Sequence, residues 1–177
     1  MRFAGYSNFE TANGEGTGVS LFTQGCHFHC QGCFNQETWD FDGGAAWDDE
    51  AKAEFLRMVS DPHIQRVSIL GGEPLADENI EDVLDLVLEV YNRYPDKVIW
   101  VYTGYQYEDI LFDIGSPRRE LLPYIDVIVD GRFELDKRDI AGEKVVWAGS
   151  TNQRVIDVPS SIENETVVLY KSIFERK

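Results

Sequence analysis

Apolar side chains along this chain follow two patterns that alternate, one with a period near 3.6 and one of short, nearly unbroken runs. Ile80, Val83, Leu84, Val87, Leu88 and Tyr91 recur at helical spacing. They predict a helix over residues 79–94, ended by Pro95, which has no amide to continue it. Phe55, Leu56, Met58 and Val59 form a second stripe, with Asp48 or Asp49 available to cap its start. Residues 17–23, 66–70, 97–103 and 125–129 are short apolar runs, and each predicts a strand. Residues 107–112 read as one further short helix. Strand, loop and helix repeating in this order imply an α/β fold of parallel strands joined by right-handed crossovers. The strands are too few for a complete eight-unit barrel. The expected architecture is therefore one domain over residues 1–177, an open partial (β/α) barrel. Residues 158–177 stand as an unassigned C-terminal extension, within which 167–170 carry the pattern of an additional strand.

In such folds functional groups gather at the carboxyl ends of the strands. Those ends carry a cysteine loop, Gly71-Gly72-Glu73-Pro74, Thr103-Gly104 and Asp130-Gly131-Arg132, so these four segments are expected to share one rim. Hydrophobic residues at 43% and charged residues at 27% are ordinary globular usage and sufficient for a core. A formal net charge of -16 disfavours nucleic acid, whose binding needs Lys and Arg to displace counterions. No apolar run approaches the roughly 20 residues of a membrane span, and no secretory signal precedes the first strand, so the expected compartment is the cytoplasm.

The three cysteines of the chain are Cys26, Cys30 and Cys33. They are odd in number and too closely spaced for a disulfide framework, which points to metal ligation or redox chemistry. A four-iron cluster held by three thiolates leaves one iron open to an outside ligand, whereas an electron-transfer cluster ordinarily has four cysteines. The competing reading is a structural zinc site completed by His27 or His29. Either ligand would strain a chelate already closed by its flanking cysteines. His63 lies in a connection and has no assigned role.

Cys26-His27-Phe28-His29-Cys30-Gln31-Gly32-Cys33 resembles the signature of the radical S-adenosylmethionine (SAM) superfamily, and Gly71-Gly72-Glu73-Pro74 resembles its second motif. The resemblance implies one 4Fe-4S cluster on Cys26, Cys30 and Cys33, whose open iron is chelated by SAM. It implies reductive cleavage of SAM to a deoxyadenosyl radical, with Gly32, Cys33, Phe34, Gly71, Gly72, Glu73, Thr103, Gly104 and Asp130 on the cofactor side. A side chain added at Gly72 would then occupy space needed by the cofactor's methionine end. Gly32 stands where many members carry an aromatic residue. Several segments are similar to the activating proteins of anaerobic ribonucleoside-triphosphate reductase. These are Asn13 to Gly16, Phe34-Asn35, Thr38-Trp39, Ile99 to Tyr105, Val129 to Phe133, and Gly149 to Arg154.

That family resemblance implies hydrogen abstraction from a reductase glycine, and a reducing partner such as flavodoxin or a thiol system. Two departures stand out, since Gly18 and Ala148 occupy positions where arginine is expected. The alternatives are a small-molecule radical SAM enzyme, such as one resembling 7-carboxy-7-deazaguanine synthase, and a non-enzymatic electron carrier or zinc-stabilised domain.

Overall fold

The computed structural model describes residues 1–139 and 146–172. Its strands are β1 (Arg2–Glu10), β2 (Gly18–Thr23), β3 (Ala45–Ala46), β4 (Arg66–Gly71), β5 (Val98–Tyr102), β6 (Val127–Asp130) and β7 (Arg154–Asp157). They form one seven-stranded sheet in the order β3-β1-β2-β4-β5-β6-β7. The centre, β2-β4-β5-β6, is parallel as the sequence pattern implies. Both edges depart from the expectation of parallel strands, because β1, β3 and β7 run antiparallel to their neighbours. The sheet is open, and its antiparallel edges stop it from adding further parallel units.

The helices are α1 (Asp49–Val59), α2 (Ile80–Arg93), α3 (Tyr107–Phe112), α4 (Pro117–Leu121) and α5 (Val158–Glu163). Asp48 caps α1, its Oδ1 accepting from the Ala51 amide at 2.9 Å. Each helix gives side chains to one core against one face of the sheet: Phe55, Val83, Ile110, Leu121 and Val158 pack with Val19, Leu21, Val67, Ile69, Ile99, Val101 and Ile128. Because side chains alternate across a strand, the intervening residues Ser20, Phe22, Arg66, Ser68, Leu70, Trp100 and Tyr102 lie on the other, helix-free face. That inner face is where the site lies.

At the amino ends of the parallel strands the inner face is closed by polar groups. Arg66 is fully buried, and its guanidinium donates to Glu10 Oε1 at 2.8 Å, to the Asn13 carbonyl at 2.7 Å and to Ser68 Oγ. Glu10 also accepts from Ser20 Oγ at 2.6 Å. Burial alone would raise the Glu10 carboxyl pKa, but the hydrogen bonds from Ser20 and Arg66 hold it below its usual value. Gly18 pairs with Arg66 across the strands, and a Cβ at Gly18 would lie 2.6 Å from the Arg66 Cζ. The space beside Gly18 is thus filled by a guanidinium from the adjacent strand.

The extension beyond β7 begins with α5, capped by Asp157, whose Oδ1 accepts from the Ser160 amide at 2.9 Å. Residues 167–170 do not form the expected strand. They run beside β7 with one isolated bridge, Ile156 to Leu169, and two further backbone bonds. Tyr170 then packs edge-on against Trp100 at 5.2 Å. The extension's last residues, 173–177, lie outside the described residues. Among the described residues no helix is long and apolar enough to cross a membrane.

Candidate active site

β2 ends at Thr23 and delivers the chain directly into the cysteine loop, which neighbouring backbone holds in place. The Gly25 and Cys26 amides donate to the carbonyls of Thr38 and Trp39 at 2.7 and 3.0 Å. From β4, the Gly72 and Glu73 amides donate to Thr23 and Gly25 at 2.8 Å each. These bonds tie the two motifs into one rim of a cavity of about 590 Å3 on the inner face. Cys26, Cys30, Cys33, Phe34, Gly71, Gly72, Glu73, Thr103 and Gly104 all line it. The four segments expected at one rim are therefore together, with Gly131 and Arg132 supplying the last.

All three thiols are free, Cys26 buried and the other two half-buried. Burial pushes the Cys26 and Cys30 thiols up in pKa, and backbone amides counter this, those of Phe28 and His29 at Cys26 and that of Phe133 at Cys30. The Asn35 amide donates to Cys33 Sγ at 3.4 Å. Amide donors aimed at sulfur are the environment a ligating thiolate requires. Among the described residues no three His, Cys, Asp or Glu side chains converge on a point that would hold a single metal ion. Cys26, Cys30 and Cys33 nevertheless all line the one cavity.

The two histidines of the loop lie on its other side. His27 bonds Glu78 at 2.9 Å and packs on Phe41 at 4.3 Å, while His29 stacks on Trp39 at 4.6 Å. Both line a separate depression that contains none of the cysteines, so neither is positioned to complete a zinc tetrahedron.

Glu73 is the buried hinge of the rim. Its Oε1 accepts from Thr103 Oγ1 at 2.7 Å and the Leu75 amide at 2.9 Å, and its Oε2 from the Gly104 amide at 2.7 Å. These bonds join the ends of β4 and β5. Burial raises its pKa to about 7 despite these donors. A carboxylate has about four acceptor positions, so one remains for a ligand.

Three of the expected residues have surroundings that the sequence did not reveal. Asp130 does not line the cavity: it is fully buried, its carboxylate taken by Arg154 and by the Tyr107 amide at 2.8 Å. Gly32 is also off the wall. Its φ is +75°, and a Cβ there would sit 2.8 Å from Leu135, so it serves close packing behind the loop. At Gly72, which lines the cavity, a Cβ would lie 2.4 Å from the Gly25 carbonyl oxygen.

Other contributors were not evident from patterning. Gln153 Nε2 donates to the Gly131 carbonyl at 2.8 Å while its Oε1 accepts from the Gly149 amide at 2.9 Å. Asn152 donates to the Arg132 carbonyl at 2.8 Å. This pair fixes the far wall, where Trp147 and Ala148 also line the cavity. At the mouth, the guanidiniums of Arg132 and Arg138 lie over Phe28 and Phe34 at 4.3 and 4.7 Å.

Residues 12–156 match the family described as a 4Fe-4S single cluster domain, which defines the class as an iron–sulfur protein with one cluster. The chain is 39% identical over 155 residues to the anaerobic ribonucleoside-triphosphate reductase-activating protein of Pasteurella multocida, covering 86% of this chain and 95% of that one. It is 38% identical over 143 residues to the protein of the same name from Enterobacteria phage T4, covering 81% and 85%. To that of Escherichia coli K12 it is 34% identical over 157 residues, covering 88% and 97%. The chain belongs to this family of reductase-activating proteins. These relatives do not favour the small-molecule synthase reading.

Proposed function

We propose that this chain is a radical SAM activase that installs a glycyl radical on an anaerobic ribonucleoside-triphosphate reductase. The observation that carries the reading is the meeting of three free thiols and the Gly71-Gly72-Glu73 turn on the wall of one open cavity, in a chain whose relatives bear that activating name. Cys26, Cys30 and Cys33 would hold one 4Fe-4S cluster. A cluster held there would, once reduced, supply the electron for SAM cleavage and so the radical chemistry that removes a hydrogen from a reductase glycine.

The chain's own residues bind, orient and exclude water. Gly71 and Gly72 present backbone to the cofactor, and the remaining acceptor position of Glu73 suits its ammonium group. Thr103 and Gly104 are held in register by Glu73, and Phe34 is an apolar wall. Gly32 and Asp130 support the site from behind. The parallel centre of the sheet, with its cavity at the carboxyl ends of the strands, supports an open partial barrel of the radical SAM type. We read residues 1–177 as one domain, because the extension packs along β7. Three free thiols suit a reducing compartment, the cytoplasm, and the electron comes from a reducing partner such as flavodoxin or a thiol system. The reading is tested by anaerobic incubation of the reconstituted protein with reductant and SAM, assayed for deoxyadenosine. A full iron complement without any SAM cleavage contradicts it.

A further inference from the structure

Gly131, Arg132 and Phe133 line the same cavity as the three thiols, and their backbone is fixed there. The Gly131 amide donates to the Tyr105 carbonyl at 3.0 Å, and the Gly131 carbonyl accepts from Gln153 Nε2 at 2.8 Å. The Arg132 carbonyl accepts from Asn152 Nδ2 at 2.8 Å, and the next amide, that of Phe133, donates to the Cys30 sulfur. The Arg132 side chain turns to the same loop. Its guanidinium lies 4.3 Å from the centre of the Phe28 ring, and Phe28 stands between Cys26 and Cys30 in the sequence. That ring is itself held edge-on to Tyr105 at 5.0 Å and against Gly104, where a Cβ would lie 2.4 Å from it. An aromatic face holds a cation in place without neutralising it. Among the described residues Arg132 pairs with no carboxylate: Glu134 is taken by Lys137 and Asp130 by Arg154. Burial is the main influence on the Cys26 and Cys30 thiols, but the charges that reach them are opposite. Glu73 raises Cys26 further, whereas Arg132 draws Cys30 down.

We infer that Arg132 is a tuning residue, whose positive charge, pinned on Phe28 beside Cys30, makes the cluster easier to reduce. The inference rests on the cluster proposed above. Taking up one electron adds a negative charge to a group already held by anionic thiolates, and the net charge around such a group helps to set its potential. A fixed cation on the wall therefore favours the reduced form over the oxidised one. Arg132 is exposed at the mouth, so water screens part of its field and its effect is smaller than that of a buried charge. Glu73 and Asp139, the carboxyl groups that line the same cavity, oppose it when ionised.

The test is the midpoint potential of the anaerobically reconstituted protein, measured by spectroelectrochemical titration with mediator dyes, first without SAM and then with it. Arg132→Lys, Arg132→Gln and Arg132→Glu place a cation, a neutral group and an anion at one position. In Arg132→Gln the reduced-to-oxidised ratio at a fixed potential should fall roughly threefold, a midpoint about 28 mV lower, since a tenfold change is about 59 mV for one electron. Arg132→Glu should lower it about twice as far, and Arg132→Lys should stay nearest to wild type. The same order should appear without SAM and narrow at high salt. Equal midpoints across the series overturn the inference, as does an equal fall in all three variants, because packing rather than charge would then be responsible. A shift seen only when SAM is present also overturns it, since Arg132 would then act on that cofactor. Loss of iron from both Arg132→Gln and Arg132→Glu does the same by making Arg132 structural. A wild-type protein that holds no reducible cluster would remove the activase reading itself, and this inference with it.

Discussion

The two ends of the sheet's inner face are built oppositely. At the amino ends of the parallel strands the space is filled: Arg66, Glu10, Ser20, Ser68 and Asn13 bond one another, with the Arg66 Nε left unpaired, and Gly18 leaves room for the guanidinium. At the carboxyl ends the strands stop at glycines and thiols around an open cavity. The contrast shows how one sheet combines a rigid floor with a receptive rim. Polar groups are bonded mostly to one another at one end, and at the other some bonding capacity is left for what binds.

The largest expected effect is at the open end. Cys26→Ala, Cys30→Ala or Cys33→Ala should each abolish cluster assembly, giving colourless protein after anaerobic reconstitution. Full iron content in any one of them breaks the three-thiolate assignment. Gly72→Val comes next. Because a Cβ would strike the Gly25 carbonyl, the variant should displace the cysteine loop and lose iron together with SAM affinity. A folded variant with a normal cluster that has lost SAM binding alone would restore the simpler cofactor-clash explanation.

At the closed end, Arg66→Ala should lower stability by about 3–5 kcal/mol in denaturant unfolding, since it strands Glu10 in a buried setting. A loss below about 1 kcal/mol would mean that the Arg66–Glu10 pair adds little to the floor.

The smallest effect is one of pH. The folded Glu73 carboxyl sits at about 7 against an ordinary value of 4.5, so between those values the native state binds the extra proton. Stability of the metal-free protein from this group is present below pH 4.5 and is lost as pH rises to about 7. Glu73→Gln should flatten that slope in a series of thermal melts. An unchanged slope would show that Glu73 is not the titrating group.

The parallel centre was legible because buried strands leave unbroken apolar runs and α2 leaves a clean 3.6 period. β1 was not, because register shifts between Phe3 and Gly5 and between Ser7 and Glu10 interrupt its alternation. The four-residue β7 was too short to carry a pattern, whereas residues 167–170 carry a strand pattern but form only one bridge. In the site, the thiols and Gly71 to Gly104 were legible from strand-end position. Spacing could not reveal that the Asp130 carboxylate turns to Arg154, 24 residues away, or that Gly72 faces backbone. Both depend on which neighbour the tertiary fold brings near.

The most direct test of the account is electron paramagnetic resonance of the reduced, reconstituted protein with SAM and its cognate anaerobic reductase. The account predicts a glycyl doublet that needs all three components, with deoxyadenosine formed in proportion. SAM cleavage without that doublet, in the presence of a competent reductase, would contradict it.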